Sequence, residues 1–362
     1  MNILHIHPSM SGGGIEAMIT ALANEMTNQG HKVTVCSIFS PKDDDVFWFR
    51  LSTGIQKCTL GKVEEGLSLR SLYEVYRFIR NGHFDVIHIH GFLYYYYLPI
   101  LMFHKRSKFF YTVHSDAEKE NSKWDVRLFK IKKMLFKRRL VHPVSISRVS
   151  NLSFKNVYGF DAYVVPNGIA TPRLLDIDLV RPYKITVSTR VFINPGRITE
   201  AKNQIVLCRV FQKLISENKD VVLLIAGDKQ DEEIFHNLQT YFCDRIIYIG
   251  VVHEIPTLVS QCDAMCLPSI WEGLPVTLLE SLSVGCIPIC APVGGIPEVI
   301  TNGVNGILST SSSYEDYYNA VHRFLSLSIE EIESMKIQCL QRFKNYEVST
   351  TSKSYLSLYE TV

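Results

Sequence analysis

The chain has 362 residues, 46% of them hydrophobic and 20% charged, which suits a globular protein of two ordinary domains. No cationic segment followed by an apolar run opens the sequence, and the longest apolar run, residues 92–103, falls short of the roughly 20 residues that a membrane-spanning helix needs. Nine cysteines scattered through apolar segments indicate reduced, buried thiols. Composition therefore argues against secretion and against a membrane span, and favours the cytoplasm.

The chain begins with a pattern of strand, helix and strand over residues 2–7, 15–29 and 32–37, which is typical of a parallel βαβ unit. Gly13 and Gly14 lie in the turn that opens the helix, where backbone can approach a phosphate closely. A tight turn without any ligand explains the same glycines. Their spacing is not the G-x-G-x-x-G of a dinucleotide site, so we do not expect NAD.

Further strands are predicted at residues 85–90, 109–114, 141–145 and 163–165. Between them, residues 101–160 hold 14 Lys or Arg and 4 Asp or Glu, and the cations concentrate between Lys130 and Arg139. Apolar residues recur there at helical spacing with cations to either side. Such a helix either docks on anionic lipid or is a solvated helix face. Nucleic acid is not expected, because no binding motif accompanies the charge.

A polar segment over residues 171–184 separates this series from a second one, and we interpret it as a domain linker. Asp176 and Asp178 form an Asp-x-Asp pattern inside it, but they do not follow a strand, so we read them as solvated. Strands are then predicted at residues 191–193, 221–226, 246–249, 264–267, 287–290 and 306–308. The expected fold is α/β, with two doubly wound parallel-sheet domains that bind ligands at the carboxyl ends of their strands and in the cleft between them.

Two cations follow the first strand of the second series. Arg197 and Lys202 come just after Gly196, at the point where the chain leaves a strand and enters a helix. An arginine fork and a lysine point charge suit a diphosphate. A surface ion pair with Glu200 is the other reading, and the sequence favours neither.

The most informative segment runs from Glu272 to Glu280 with Gly-Leu-Pro after the first glutamate. It describes a loop that opens into a helix, with Pro275 suited to the first helical position. Both acids then lie near a helix N-terminus, where unpaired N–H groups suit a polyhydroxylated, anionic ligand. Taken alone, the pair is better explained as an N-terminal acid that favours the helix dipole together with an ordinary exposed glutamate.

These motifs occur in the order and at the spacing that resemble retaining glycosyltransferases of family four, which have the GT-B fold and an E-x7-E motif. Besides the segments above, the resemblance includes Glu16 after the glycine turn, residues 226–228 and residues 294–298. It covers about residues 2–308. It implies an N-terminal acceptor-side domain over residues 1–170, the linker 171–184, a nucleotide-sugar-binding domain over residues 185–344, and a C-terminal helix, residues 345–362, that crosses back to the first domain.

The resemblance also implies roles for single residues. Arg197 and Lys202 would hold the diphosphate and stabilise the leaving group. Glu272 would contact the donor sugar, as would His114 from the first domain, while Glu280 would bind the ribose hydroxyls. The backbone would approach the sugar and phosphates at the following positions: Gly13, Gly14, Gly196, Gly273, Leu274 and Val276. The resemblance implies attack on the face that the nucleotide leaves, so no covalent nucleophile is expected. No cofactor or metal is expected either, because the two cations supply the charge.

The implied activity is transfer of a hexosyl or N-acetylhexosaminyl group from a UDP- or GDP-linked sugar to a glycan or lipid-linked acceptor, in surface polysaccharide or glycolipid synthesis. The implied location is the cytoplasm, with peripheral contact to the inner face of the plasma membrane through residues 130–139. Two alternatives remain open at this point. One is a nucleotide-sugar 2-epimerase of the same fold, and the other is a non-catalytic subunit that binds the nucleotide sugar.

Overall fold

The fold is described from a computed structural model, for residues 1–11, 13–41, 45–62, 68–91, 101, 106–114, 116–118 and 126–362, the side chains of 126–128 excepted. The chain divides into two compact units. The first unit contains Met1–Ala170 and Tyr346–Val362, and the second contains Thr171–Asn345. Residues 171–184, the predicted linker, thus group with the second unit.

The first unit is built on a seven-stranded parallel sheet in the order β3-β2-β1-β4-β5-β6-β7. Its strands are β1 Asn2–His7, β2 Lys32–Phe39, β3 Gln56–Lys62, β4 Val86–His90, β5 Lys108–Val113, β6 His142–Ser145 and β7 Tyr163–Val164. Its helices are α1 Gly14–Asn28, α2 Phe47–Arg50, α3 Leu69–Asn81, α4 Val126–Lys137 and α5 Arg148–Tyr158.

The second unit repeats this plan with a six-stranded parallel sheet in the order β10-β9-β8-β11-β12-β13. Its strands are β8 Arg190–Pro195, β9 Val221–Ala226, β10 Ile246–Gly250, β11 Ala264–Leu267, β12 Ile287–Cys290 and β13 Ile307–Leu308. Its helices are α6 Gln204–Ser216, α7 Glu232–Gln239, α8 Ile255–Gln261, α9 Val276–Ser283, α10 Ile296–Val299, α11 Tyr314–Leu325 and α12 Ile329–Phe343.

The central strands are continuous apolar runs because helices cover both faces of each sheet. All six residues of β9 are buried, and five of the six in β1. The prediction of two parallel-sheet α/β domains is confirmed. The edge strand β3 was not predicted, because its residues alternate between exposed and partly buried and include two lysines and a glycine.

The C-terminal helix α13, Val348–Thr361, belongs to the first unit and packs against α1. Its buried residues include Tyr355 and Tyr359, each about 1% exposed. The Tyr359 hydroxyl lies 2.6 Å from His88 Nδ1 in β4, and the Tyr355 hydroxyl lies 3.2 Å from Thr112 Oγ1 in β5. The helix is therefore attached to the centre of the first sheet by polar as well as apolar contacts.

All nine cysteines are free, and seven of them are buried. Burial raises the pKa of Cys208, Cys266 and Cys339 to about 12. These three thiols therefore behave as small apolar side chains in the interior of the second unit.

Candidate functional site

The carboxyl ends of β8 and β11 bring together three of the side chains that define the second unit's candidate site. Lys202 Nζ donates to Glu272 Oε1 at 2.6 Å, and Ser269 Oγ donates to the same oxygen at 2.7 Å. The Lys202 and Glu272 side chains are only 17% and 11% exposed. An ion pair this sheltered is screened less than a surface pair, so it holds both groups in a fixed position.

Arg197 lies five residues earlier in the same connection, and its side chain is exposed. Among the described residues its guanidinium makes no hydrogen bond or ion pair, and the alternative of an ion pair with Glu200 is not formed by Arg197 or by Lys202. Gln204 Nε2 donates to the Arg197 carbonyl at 3.0 Å, which holds the backbone while the side chain is free to reach a ligand.

The connection that carries Lys202 is fixed by three hydrogen bonds, two to the loop before Glu272 and one to the loop at Ser312. Ile270 N–H donates to the Ala201 carbonyl at 2.8 Å. Asn203, with φ of 55°, donates from Nδ2 to the Pro268 and Ser312 carbonyls, both at 3.1 Å. Asparagine suits this left-handed position, and its amide ties the turn to two neighbouring loops.

Two glycines allow the close backbone contacts on which this site depends. At Gly294, with φ of 56°, a Cβ would lie 2.1 Å from the Glu272 carbonyl oxygen. The next residue, Gly295, donates its N–H to the Gly273 carbonyl at 2.6 Å. At Gly227 a Cβ would lie 2.0 Å from the Gly196 carbonyl oxygen. Any larger side chain at Gly294 or Gly227 would displace the turns that carry Glu272 and Arg197.

The helix after Glu272 begins one residue later than predicted. Pro275 is the N-cap of α9, with extended backbone, and Val276 is the first helical residue. This shift of one residue does not change the expected anion-binding character of the helix N-terminus, because the first N–H groups still lack helical partners. Glu280 lies on α9 and is partly exposed, and Leu274 is buried. Thr277 Oγ1 is buried without a hydrogen-bond partner among the described residues.

The first unit holds the other three predicted site residues. Gly13 is the N-cap of α1 and Gly14 is its first residue. A Cβ at Gly13 would lie 2.4 Å from Glu16 Oε2, so the glycine leaves room for that carboxylate. Glu16 Oε1 in turn lies 3.5 Å from His7 Nε2, and His7 Nδ1 donates to the His90 carbonyl at 2.8 Å.

His114 follows β5 and is partly exposed. Its Nε2 lies 3.1 Å from His90 Nδ1, and His90 Nε2 lies 3.1 Å from His5 Nδ1. Shielding from water lowers the pKa of His5 and of His114 to about 3, and lowers that of His90 well below its ordinary value. All three rings are therefore neutral at pH 7.

One group among the described residues has the composition of a metal site, namely His5, His88 and His90, whose ligand nitrogens lie within 4.8 Å of one another. The nitrogens of His88 pair with Tyr359 and Thr112, at 2.6 Å each. Those of His90 pair with His5 and His114. The geometry is thus that of a hydrogen-bonded network.

The Asp176–Asp178 segment also has a structural role. Asp178 Oδ1 accepts from the Val180 and Arg181 N–H groups at the start of a short 3-10 turn. Gln261 of α8 binds this segment on both sides, because Leu179 N–H donates to its Oε1 and its Nε2 donates to the Ile177 carbonyl. The segment is therefore fixed to the second unit.

In the basic segment from Lys130 to Arg139, the structure buries one of the cations. Lys132 is only 3% exposed, and its ammonium lies 4.5 Å from the centre of the Tyr111 ring. Leu135 and Phe136 of α4 also turn inward and are buried in the core. The exposed cations are Lys130, Lys137, Arg138 and Arg139. Nothing in the sequence distinguishes Lys132 from the neighbouring cations, because its burial depends on its contact with Tyr111 of β5.

Three residues with a clear part in the site were not among the predicted ones. Ser269 lies three residues before Glu272, and Asn203 directly follows Lys202. Their closeness in sequence to these predicted site residues is the signal that could have identified them. Gly294 belongs to the motif at residues 294–298, but its contact with Glu272 joins residues 22 positions apart. That distance in sequence is the reason its role was not foreseen.

Comparison with known proteins adds family information. Residues 12–173 match the family model described as Glycosyltransferase Family 4, and residues 179–338 match that described as Glycosyl transferases group 1. In the part of the chain that the structure describes, no helix combines the length and the apolar character needed to cross a bilayer.

Similar proteins match either part of the chain or nearly all of it. The UDP-Gal:alpha-D-GlcNAc-diphosphoundecaprenol alpha-1,3-galactosyltransferase of Escherichia coli is 28% identical over 170 residues, which are 44% of this chain and 44% of that protein. A phosphatidyl-myo-inositol mannosyltransferase of Mycolicibacterium smegmatis is 21% identical over 97% of this chain and 90% of its own length. The crystal structure of Anabaena HepE in complex with UDP-glucose is 18% identical, with a TM-score of 0.82 over the full length of both chains.

The two family models follow each other along the chain in the same order as its two compact units, and the structural match extends over both. The chain therefore belongs to the glycosyltransferases of GT-B fold, with a Family 4 domain followed by a group 1 domain.

Proposed function

We propose that this chain transfers a sugar, with retention of configuration, from a nucleoside diphosphate sugar to a glycan or lipid-linked acceptor. The observation that carries the proposal is the group formed by Lys202, Glu272 and Ser269 beside the exposed Arg197. It combines a hydroxyl-binding carboxylate with two cations at the carboxyl edge of a doubly wound sheet, where such folds bind ligands.

The cations stabilise the leaving group. Departure of a nucleoside diphosphate develops negative charge on the phosphate oxygens, which needs positive charge already in place. Arg197 supplies a planar fork and Lys202 a point charge. The N–H groups at the start of α9 add a favourable dipole, and the Thr277 hydroxyl, which has no partner among the described residues, is a further donor at that end.

The carboxylates bind hydroxyl groups. Glu272 uses one oxygen for Lys202 and Ser269, which leaves Oε2 as an acceptor for the donor sugar. Glu280 accepts from the ribose hydroxyls. Attack by the acceptor on the face that the nucleotide leaves requires no covalent nucleophile, so neither glutamate exchanges roles as acid and base. We propose further that Gly13, Gly14 and His114 contact the donor from the first unit, and that no metal takes part.

The setting we propose is surface polysaccharide or glycolipid synthesis at the cytoplasmic face of a membrane. The relatives support it, since the E. coli protein is named for a diphosphoundecaprenol acceptor and the M. smegmatis protein for phosphatidyl-myo-inositol. The exposed cations of α4 and the following turn, with the half-exposed Met134 and Leu140, form a surface suited to anionic headgroups.

The test begins with binding of UDP, GDP and their common sugars to the purified chain by calorimetry. A preferred donor is then incubated with and without candidate lipid-linked acceptors. Transfer that requires an acceptor and retains the anomeric configuration, read by NMR of the product, supports the proposal. Epimerised nucleotide sugar from donor alone would instead show a 2-epimerase, and donor binding without turnover under any acceptor would show a non-catalytic subunit.

A further inference from the structure

A row of three buried or partly buried imidazoles crosses the first sheet toward its carboxyl edge. His5 in β1 pairs in register with His88 in β4, and His90 lies two residues further along that strand. His90 pairs in register with Thr112 in β5, and His114 again lies two residues further. Because alternate residues of a strand share a face, His5, His90 and His114 lie on one face and step diagonally across three neighbouring strands.

Each contact in this row joins two ring nitrogens at 3.1 Å, first His5 Nδ1 to His90 Nε2 and then His90 Nδ1 to His114 Nε2. A neutral imidazole has one N–H donor and one bare acceptor nitrogen. The two hydrogen bonds must therefore point the same way along the row, since His90 can donate only once. The tautomers of all three rings follow from this single direction.

The inner end of the row selects that direction. His5 Nε2 is buried without a partner among the described residues. If the row donated toward His5, this atom would carry an N–H with nothing to bind, and orphaned buried donors are rarer in proteins than under-used acceptors. If the row donates away from His5, only a lone pair is left unused. The low pKa values of His5 and His114, about 3, agree with neutral rings throughout.

We propose that His90, supported by His5, is a positioning residue that fixes His114 as the tautomer with hydrogen on Nδ1. His114 then accepts from His90 at Nε2 and presents the Nδ1–H group as a donor to an oxygen of the nucleotide sugar. The last clause rests on the proposed function, whereas the tautomer assignment does not.

The neighbours of His90 hold its ring in place. The His88 and His90 ring centres lie 4.0 Å apart, and His88 is fixed by Tyr359 and Thr112. His7 Nδ1 donates to the His90 carbonyl, which fixes the end of the strand. The ring therefore has little freedom to rotate away from His114.

The test is a long-range 1H–15N correlation spectrum of the full chain labelled with 15N-histidine, recorded at pH 7.5. We expect His5, His90 and His114 each to show a protonated Nδ1 and an unprotonated Nε2, with assignments from single-histidine variants. A protonated Nε2 on His114 would overturn the proposal. So would a spectrum in which added Zn²⁺ shifts the nitrogens of His5 and His90, because those atoms would then be metal ligands.

Two variants that carry the same side-chain amide distinguish a positioning role of His90 from a packing role. In His90→Asn the side-chain amide replaces Nδ1 and still donates to His114, whereas in His90→Gln the amide replaces Nε2 and faces His5. We expect His90→Asn to keep the His114 tautomer, and His90→Gln to give a mixture of tautomers and to lower kcat about tenfold with little change in KM for the donor. Equal tautomer populations in the two variants would contradict the proposal.

If His90→Gln fails to fold, the spectrum of the unsubstituted chain still decides the tautomer. That spectrum is also independent of turnover. A chain that transfers no sugar but shows the predicted tautomers would contradict the proposed function and leave the positioning role of His90 in place.

Discussion

At the scale of single residues, the pairing of Lys202 with Glu272 is the feature that changes the expected chemistry. The family resemblance assigns Lys202 to the diphosphate and Glu272 to the donor sugar, as separate roles. The 2.6 Å bond between them means that a substitution at either position alters the other. Arg197, which makes no such contact within the described residues, is the cleaner probe of the diphosphate.

Arg197→Ala should lower kcat by about 10²–10³-fold, because it removes one charge aimed at the leaving group. Lys202→Ala should lower kcat at least as much and should also raise KM for the donor, because Glu272 loses the group that holds it. Steady-state kinetics with the preferred donor check both. Lys219→Ala, an exposed cation of the same unit, is the control. Near-normal rates in both site variants would remove the two cations from the mechanism.

The two glutamates should separate nucleotide binding from sugar binding. Glu280→Ala should weaken binding of the free nucleoside diphosphate about tenfold or more, since hydrogen bonds to a charged group contribute about 1.5–3 kcal/mol. Glu272→Ala should weaken that affinity less than Glu280→Ala does, through the loss of the partner that holds Lys202, and should mainly reduce turnover of the nucleotide sugar. Calorimetry with the nucleotide and kinetics with the sugar donor distinguish the two, and exchanged effects would show the assigned roles to be reversed.

At the scale of elements, the C-terminal helix is notable for the polar residues that attach it to the first sheet. Tyr355 and Tyr359 place hydroxyl groups against Thr112 and His88 in the middle of a parallel sheet. Burial raises the pKa of both hydroxyls, so they remain protonated hydrogen-bonding groups across the physiological range. A helix held in this way is specified in register as well as in position.

Tyr359→Phe should destabilise the chain by about 1–3 kcal/mol, because His88 Nδ1 is left buried without its partner. Denaturant unfolding monitored by circular dichroism measures the loss. Tyr73→Phe, at an exposed tyrosine of α3, removes a hydroxyl from the surface and should change stability by less than about 0.5 kcal/mol. Equal effects of the two substitutions would show that the hydrogen bond to His88 contributes nothing.

The basic helix α4 gives the second prediction at this scale. Replacing Lys130, Lys137 and Arg138 by Gln should weaken binding to vesicles rich in phosphatidylserine at low salt, since each cation contributes about 1 kcal/mol near such a surface. Co-sedimentation with the vesicles is the measurement. The matched control replaces three exposed cations of the second unit, Lys184, Lys219 and Lys344. The hypothesis fails if the chain does not bind these vesicles, or if both triple variants bind equally.

For the molecule as a whole, we expect stability to depend on pH through the first unit, which contains the buried His5. His5 is completely buried with a pKa of about 3, whereas an unfolded histidine titrates near 6.5. Below pH 6.5 the unfolded chain takes up a proton that the folded chain does not. The contribution of His5 to stability is therefore complete above pH 6.5 and decreases as the pH falls toward 3.

We expect the free energy of unfolding to drop by about 2 kcal/mol between pH 7 and pH 5 for His5 alone. His5→Asn should reduce this dependence on pH, whatever its effect on stability at pH 7. His236→Gln, at an exposed position in α7, should leave the dependence as it is. Urea titrations at several pH values provide the comparison, and parallel curves for the chain and His5→Asn would contradict the assignment of a buried, neutral His5.

The fold class and the course of most strands can be predicted from the amino-acid sequence, because a strand buried on both faces is a short apolar run wherever it lies. The sequence also marked Arg197, Lys202, Glu272 and Glu280, whose positions just after strands or at a helix N-terminus are local features. Contacts between residues that are distant in sequence became visible only in the folded chain. The pairing of Lys202 with Glu272, the approach of Gly294 to the Glu272 turn, the burial of Lys132 against Tyr111 and the row from His5 to His114 all join different strands or loops. A residue's type and its neighbours in sequence determine its own conformational preference. The residue that it contacts in space depends on which strands and loops lie side by side in the folded unit.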